Sequence, residues 1–117
     1  MNIENLTIGE AREIARLFGA PAVAQPADMG AYAAFIGKPV FIRTVTHHFT
    51  GRLVSATAGE LVIEEAAWIA DSGRWSAALT TGALGEVEPY PAGPVVVSRG
   101  AAVDVCLWPH ALPRGVK

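Results

Sequence analysis

The chain has 117 residues, of which 51% are hydrophobic and 17% charged, with a formal net charge of −2 and a pI near 5.9. This length suffices for one hydrophobic core but hardly for two, so we expect a single domain over residues 1–117. The weakly acidic balance gives no global field that would draw the chain onto nucleic acid or an anionic membrane, so net charge supports neither partner. Because charged residues are scarce, we expect part of the apolar surface to be covered by another copy of the chain.

The first 19 residues predict an amphipathic helix. Thr7 and Glu10 have the spacing of a capping box, and the apolar residues that follow recur with a period close to 3.6. Gly19, followed by Pro21, is typical of a helix end.

Residues 20–36 predict a linker arm, because their first half contains two prolines and no clear period. Within the arm, residues 31–36 are compatible with either a strand or a helical turn. Residues 1–10 lack the basic start and apolar stretch of a signal peptide. No run approaches the ~18 apolar residues of a membrane span, so we expect a cytoplasmic protein without a membrane partner.

From residue 37 onward, β-branched and aromatic residues predict a sheet. The predicted strands cover residues 39–49, 50–54, 61–64 and 86–90, with a last hairpin or bent strand pair at 95–98 and 101–108. We expect Gly51 to lie where a strongly bent sheet cannot accommodate a side chain. Residues 75–79 predict one or two helical turns that end at Gly82, and residues 109–117 predict a tail.

Two stretches of this sequence resemble the bipartite motif of the Sm and Sm-like proteins. The first is Gly37-Lys38-Pro39-Val40-Phe41-Ile42 followed by Gly51-Arg52-Leu53 and Leu61-Val62-Ile63, and the second is Arg99-Gly100-Ala101-Ala102-Val103. The resemblance implies a mainly β fold, a small, strongly bent five-stranded Sm-like barrel over residues 37–108 preceded by one N-terminal α-helix. The segment 66–85 would be an inserted loop, and Gly100 would occupy a bend too crowded for a side chain.

The same resemblance implies an assembly. In Sm proteins the open edge strands pair between subunits, so we expect a homo-oligomeric ring. Residues 41–53 together with 66–71 also resemble uncharacterised small proteins of tailed phages and prophages. We therefore expect a non-enzymatic, ring-forming phage-type module that holds a protein, nucleotide or nucleic-acid partner, the protein being of phage or host origin. The alternative is a virion accessory protein, such as a capsid decoration or connector component.

Four residues of the predicted loop form the main candidate binding site. Trp68, Asp71, Arg74 and Trp75 combine two large aromatic side chains with an acid and a base. Tryptophan and arginine are the residue types that anchor interfaces and stack on planar ligands. The alternative is that one tryptophan only plugs the end of the barrel.

The two tryptophans are expected to differ. Trp68 extends the apolar strand 61–63, so we predict that it lies in the core. Trp75 follows the polar stretch 72–74, so we predict that it meets a neighbouring subunit or a ligand.

Charged and histidine side chains complete the candidate set. Arg43 and Arg99 are expected to bring positive charge near the loop, with an arginine–aspartate structural pair as the alternative. His47 and His48 are adjacent on a predicted strand, so they point to opposite faces and do not form a two-histidine metal site. One imidazole is expected to be half-buried and one solvated, with a binding role for either. The candidate binding residues are Arg43, His47, His48, Trp68, Asp71, Arg74, Trp75 and Arg99.

No motif predicts catalysis or a cofactor. The sequence has no serine elbow, phosphate loop, dinucleotide glycine fingerprint or paired-cysteine metal motif. Cys106 lies in an apolar run, which predicts a buried, inert thiol. Glu64 and Glu65 are adjacent, so we expect a solvated surface rather than paired catalytic carboxylates. We therefore predict no enzyme activity, no cofactor and no metal.

Overall fold

The computed structural model describes residues 30–117 as six strands, one α-helix and two short 3-10 helices. The elements are a 3-10 helix (Gly30–Phe35), β1 (Pro39–Thr44), β2 (His48–Ala56), β3 (Glu60–Asp71), α1 (Trp75–Thr81), β4 (Glu86–Pro89), β5 (Val95–Ser98), a second 3-10 helix (Arg99–Ala101) and β6 (Ala102–Leu107). The N-terminal helix predicted for residues 1–19 and most of the predicted arm lie outside the described residues. No helix in the described part of the chain is both long and apolar enough to cross a membrane.

All six strands belong to one antiparallel sheet, so the prediction of a mainly β fold is confirmed. The strand order is β4-β3-β2-β1-β6, and β5 pairs with β3. β3 has 12 residues, and its first part pairs with β5 while its second part pairs with β4.

The prediction of a small, strongly bent five-stranded Sm-like barrel is not confirmed, because residues 30–117 form a six-stranded sheet that remains open. The predicted last hairpin accounts for part of the difference. Residues 95–98 join β3, whereas residues 102–107 join β1, and the second 3-10 helix turns the chain between them. Consecutive segments that resemble a hairpin in sequence therefore pair with two different strands.

A bulge divides β3 at the point where it crosses β2. Thr50 pairs with Ala67 and Arg52 pairs with Glu64, so two residues of β3 oppose Gly51 alone. Glu65, inside the bulge, has a φ of 51°. A Cβ atom on Gly51 would lie 2.9 Å from the Cβ of Ile63. The predicted requirement for glycine at position 51 is confirmed, and its cause is the close approach of β3.

Strand alternation gives the sheet two apolar faces. The front face is the one that carries the buried side chains of Val40, Ile42, Phe49, Leu53, Ala56, Leu61, Ile63, Ala66 and Val97, with Tyr32, Phe35 and Ile36 of the N-terminal arm packed against them. The back face carries Phe41, Ala67, Ile69, Ala78, Leu84, Val87 and Trp108, with Trp75, Cys106 and Leu112 packed against them. Each face thus receives a different cover: arm residues on the front, and α1 with the C-terminal residues on the back.

The segment predicted as an inserted loop is mostly regular structure. Residues 66–71 complete β3, and Gly73, with a φ of 69°, forms the turn that follows. α1 then ends at Gly82, whose φ of 78° and whose N–H bond to the Ala78 carbonyl form a left-handed C-cap. The predicted helical turns and their end at Gly82 are confirmed.

The C-terminal segment, residues 109–117, is packed rather than being a loose tail. The Nε2 atom of His110 lies 2.8 Å from the carbonyl oxygen of Leu79 in α1. At the other end, the backbone N–H and C=O groups of Lys117 bond those of Val87 in β4, each at 2.9 Å. The segment therefore crosses from α1 to the outer edge of β4 and covers that edge.

Candidate functional site

The eight predicted binding residues do not form one site. His47 and Trp68 lie in contact on the front face, and Arg43, His48 and Trp75 belong to a cluster on the back face. Asp71 and Arg74 flank the turn before α1, and Arg99 lies beside the first 3-10 helix. Local spacing separates the faces of adjacent residues such as His47 and His48, but it does not show which strands pair and which distant residues share a face.

The back cluster centres on Arg43. Its Nε donates a 2.8 Å hydrogen bond to Asp104 on β6, and a second guanidinium nitrogen donates to the other carboxylate oxygen. The guanidinium carbon lies 5.1 Å from the centre of the Trp75 ring, which in turn lies 4.8 Å from the Phe41 ring. The alternative prediction of an arginine–aspartate structural pair is therefore confirmed for Arg43.

Burial and this ion pair change the acidity of three neighbouring groups. Burial, and then the charge of Arg43, lowers the pKa of His48, and its Nδ1 accepts a 3.3 Å hydrogen bond from the Thr44 N–H. The hydrogen bond from Arg43 lowers the pKa of Asp104. Burial raises the pKa of Cys106, which is half-buried rather than fully buried as predicted. A raised pKa keeps this thiol protonated at neutral pH, which agrees with an inert cysteine.

The front face carries an aromatic patch, defined as His47, Phe49, Trp68 and Tyr90. The His47 ring lies 5.0 Å from the Phe49 ring and 5.7 Å from the Trp68 ring. The Tyr90 ring is stacked on Phe49 at 6.5 Å with an interplanar angle of 27°. Phe49 is buried, so the other three rings form the accessible part of the patch. Tyr90 was missed by the sequence analysis, although it is an aromatic residue at the end of a predicted strand.

The prediction that Trp68 lies in the core is wrong, and the predicted contact of Trp75 with a neighbouring subunit or a ligand stays a prediction. Trp68 keeps 36% of its surface exposed, whereas Trp75 is half-buried and packs against the back-face core. Trp68 follows the β3 bulge and lies on the front face outside the buried core cluster. Trp75 opens α1, which the short turn after β3 folds back onto the sheet. The buried tryptophan of the protein is Trp108, which is 2% exposed.

His47 and His48 lie on opposite faces, as predicted, since His47 contacts Phe49 and His48 contacts Phe41. The predicted split into one half-buried and one solvated imidazole is wrong, because both are half-buried. Within residues 30–117 no group of three or more histidine, cysteine or carboxylate side chains could hold a metal ion.

The remaining candidates have local structural contacts. An Asp71 carboxylate oxygen accepts a 2.7 Å hydrogen bond from the Gly73 N–H and so stabilises the turn before α1. Arg74 is the exposed N-cap residue of α1. Arg99 donates a 2.6 Å hydrogen bond to the Thr57 carbonyl and lies 4.7 Å from the centre of the Tyr32 ring. Arg99 therefore joins the turn between β2 and β3 to the N-terminal arm, and is not part of a cluster with Trp68 or Trp75.

The expected crowding at Gly100 is absent. A Cβ atom built there would meet only the Ser98 Oγ, at 3.8 Å, which is an ordinary van der Waals contact. Gly100 lies in the exposed second 3-10 helix rather than at a bend inside the sheet.

A groove of about 350 Å³ adjoins the aromatic patch between the β1–β2 turn and β5. Its lining residues are Thr44, Val45, Thr46, His47, Phe49, Val96, Val97, Ser98, Gly100 and Ala101. These are mainly apolar or small side chains, and His47 and Phe49 belong to both the groove and the patch.

Two sheet edges are open. The Trp108 N–H donates a hydrogen bond to the Pro39 carbonyl at the end of the β1–β6 ladder. Hydrogen-bonded and non-hydrogen-bonded pairs alternate along an antiparallel ladder, so Cys106 and Phe41 form the next hydrogen-bonded pair. The backbone N–H and C=O groups of Val105 and Leu107 therefore point away from β1, at the open edge. By the same alternation, the Arg99 N–H bond to Gly59 directs the backbone groups of Val96 outward from β5. Among the described residues no further strand pairs with either edge.

No protein-family model, no curated protein and no solved structure matches the chain. The relationship to Sm proteins and to phage proteins therefore remains a prediction.

Proposed function

We propose that the protein is a non-enzymatic binding and assembly module, of the kind that tailed phages encode, whose copies join edge to edge into a ring. The ring holds a partner on surfaces that its formation leaves exposed, in the host cytoplasm. The partner classes expected from the sequence are a protein, a nucleotide or a nucleic acid.

The observation that carries this proposal is the composition of β6. Five of its six residues are apolar or small, none is buried, and Val103 and Leu107 are 61% and 45% exposed. An edge strand of this kind, with outward backbone donors and acceptors, is a template for pairing with another chain. β5 offers an apolar counterpart in Val96, which is 57% exposed.

The ring, rather than a simple pair, follows from the difference between the two edges. β5 and β6 are different surfaces of one subunit, so pairing β6 of one copy with β5 of the next is a heterologous contact. Such contacts form a closed ring when the rotation that relates one subunit to the next is a whole fraction of a full turn.

Proline substitution tests the proposed edge. The N–H of Val105 points away from β1, so Val105→Pro removes a donor to a neighbouring copy and leaves the β1–β6 ladder intact. We expect the wild type to sediment as an oligomer at micromolar concentration and Val105→Pro to sediment as a folded ~12 kDa monomer. Val105→Thr is the matched control, because it keeps the N–H and the β-branched shape, and it should assemble.

A second proline variant shows that the effect belongs to the outer edge. Cys106→Pro removes an N–H that bonds β1, so it should reduce the free energy of unfolding rather than assembly alone. A wild-type protein that stays monomeric at micromolar concentration would refute the ring. Detection of the protein in purified virions by mass spectrometry would replace the proposed module with a virion accessory protein.

A further inference from the structure

The exposed ring of Trp68 lies between an aromatic and an acidic neighbour. Trp68 pairs with Phe49 on β2 and with Glu88 on β4, and paired residues of neighbouring strands share a face. On its own strand the neighbours on that face are Ala66 and Ala70, which are too small to cover the indole. The ring is therefore supported from one side and accessible from the other.

The charge beside this ring is negative. Val87 is 2% exposed and belongs to the back-face core, so Glu86 and Glu88, its neighbours on β4, point to the front face, where both are exposed. At the Tyr90 end of the patch, the Arg114 guanidinium donates hydrogen bonds of 2.9 and 2.8 Å to the carbonyl oxygens of Ala66 and Tyr90. These bonds hold the Arg114 guanidinium at the Tyr90 end of the patch. The charged neighbour that pairs with Trp68 across the strands is therefore the Glu88 carboxylate.

An indole face beside a carboxylate complements one chemistry, a planar cation. We propose that the front aromatic patch binds an arginine side chain of an extended protein segment, with the guanidinium stacked on Trp68 and paired with Glu88. This inference rests on the proposed function, since it names the partner that the assembled module holds. A nucleic acid is disfavoured here, because its phosphates would approach Glu86 and Glu88.

The probe is a fluorescently labelled hexa-arginine peptide, titrated with the full-length protein at low salt and followed by fluorescence anisotropy. Trp68→Leu keeps an apolar side chain but removes the aromatic face, and we expect it to weaken binding about 2- to 5-fold, the range of an exposed cation–π contact. Glu88→Gln keeps the side-chain shape but removes the charge, and should weaken binding by a similar factor.

A matched control separates a local site from general attraction. Glu60→Gln makes the same change in net charge at an exposed glutamate at the opposite end of β3, and it should leave the affinity unchanged. If Glu60→Gln weakens binding as much as Glu88→Gln, or if Trp68→Leu binds like the wild type, the patch is not an arginine site. A labelled twelve-residue oligothymidylate that binds more tightly than the peptide, and loses its affinity in Trp68→Leu, would establish a nucleic-acid surface instead.

Sedimentation of the same samples keeps this inference separate from the proposed function. A wild type that assembles but shows no Trp68-dependent binding of the peptide overturns the arginine site alone. A wild type that does not assemble overturns the ring, whatever the peptide does.

Discussion

The front and back faces of the sheet carry similar aromatic side chains in opposite situations. On the back face, Trp75 at the start of α1 and Trp108 next to the C-terminal segment pack on Phe41, with ring centroids 4.8 and 5.4 Å from that of Phe41. On the front face, Trp68 has the small side chains of Ala66 and Ala70 as its neighbours on β3 and is 36% exposed. The comparison shows that the covering segment, more than the strand itself, decides whether a tryptophan belongs to the core or to a surface.

The largest expected effect comes from removing each tryptophan in turn. Trp108→Ala should lower the free energy of unfolding by ~3–5 kcal/mol, because it opens a cavity in the back-face core. Trp75→Ala should cost about 2 kcal/mol, since its ring is only half-buried, and Trp68→Ala less than ~1 kcal/mol. Urea denaturation of the three variants gives this order directly. If Trp68→Ala proved the most destabilising of the three, the assignment of Trp68 to an exposed surface would be wrong.

A smaller loss of stability is expected from a substitution at Gly51, opposite the β3 bulge. Gly51→Ala places a Cβ 2.9 Å from Ile63 Cβ and 3.1 Å from the Glu64 carbonyl oxygen, so it should cost ~1–3 kcal/mol through overpacking. Gly100→Ala is the matched control, because its Cβ meets only an ordinary contact, and it should change stability by less than ~0.5 kcal/mol. Thermal melts of both variants test the difference. Equal melting temperatures would show that the bulge can relax around a side chain.

The bulge also predicts a stabilising substitution. Glu65 adopts a φ of 51°, which costs an L-residue roughly 1–2 kcal/mol relative to glycine. Its exposed ion pair with Arg52, at 3.3 Å, is worth less than ~1 kcal/mol. Glu65→Gly should therefore stabilise the fold by up to ~1 kcal/mol, measured as a higher urea midpoint. Glu64→Gly, one residue earlier and outside the left-handed region, should destabilise it.

The smallest expected effect is a dependence on pH that belongs to the back face. His48 has a folded pKa below its usual 6.5, so the unfolded chain binds the proton more readily, and stability should fall as the pH drops below about 6.5. Asp104 also has a lowered pKa, so its contribution is present above its usual value of 3.8 and is lost as the pH falls through the folded value.

Substitutions separate the two pH windows. His48→Gln should flatten the difference in unfolding free energy between pH 7 and pH 5, and Asp104→Asn should affect only the more acidic range. Denaturation curves at a series of pH values provide the measurement. A loss of stability between pH 7 and pH 5 that is the same in His48→Gln as in the wild type would exclude His48 as its source.

Much of the local structure could be predicted from the sequence. The β-branched runs and the helix end at Gly82 are local signals, because propensity and glycine conformation act within a few residues. Gly51 was also predictable, since a glycine inside a strand indicates a close approach. The strand partners were not, because whether residues 95–98 pair with β3 or with β6 depends on contacts far apart in sequence.

The candidate site was harder to predict for the same reason. A one-residue bulge at Glu65 changes which face the following residues occupy, and no local signal in the sequence reports it. The covering role of residues 109–117 was also hidden, because the segment has no regular period, and its burial depends on contacts with α1 and β4. Without these two features, Trp68 was assigned to the core, and the packing of Trp75 on the back face was not foreseen.

The backbone bonds between Lys117 and Val87 have a consequence for the motions of the molecule. An edge strand held by a short terminal segment can open locally without global unfolding, and the amide of Val87 then becomes accessible to solvent. The hydrogen-exchange rate of the Val87 amide would therefore report how often the C-terminal segment detaches, separately from local opening of the strand pairs within the sheet. Val87 and Trp108 belong to the same back-face core, so detachment of the C-terminal segment would also expose this part of the core to solvent.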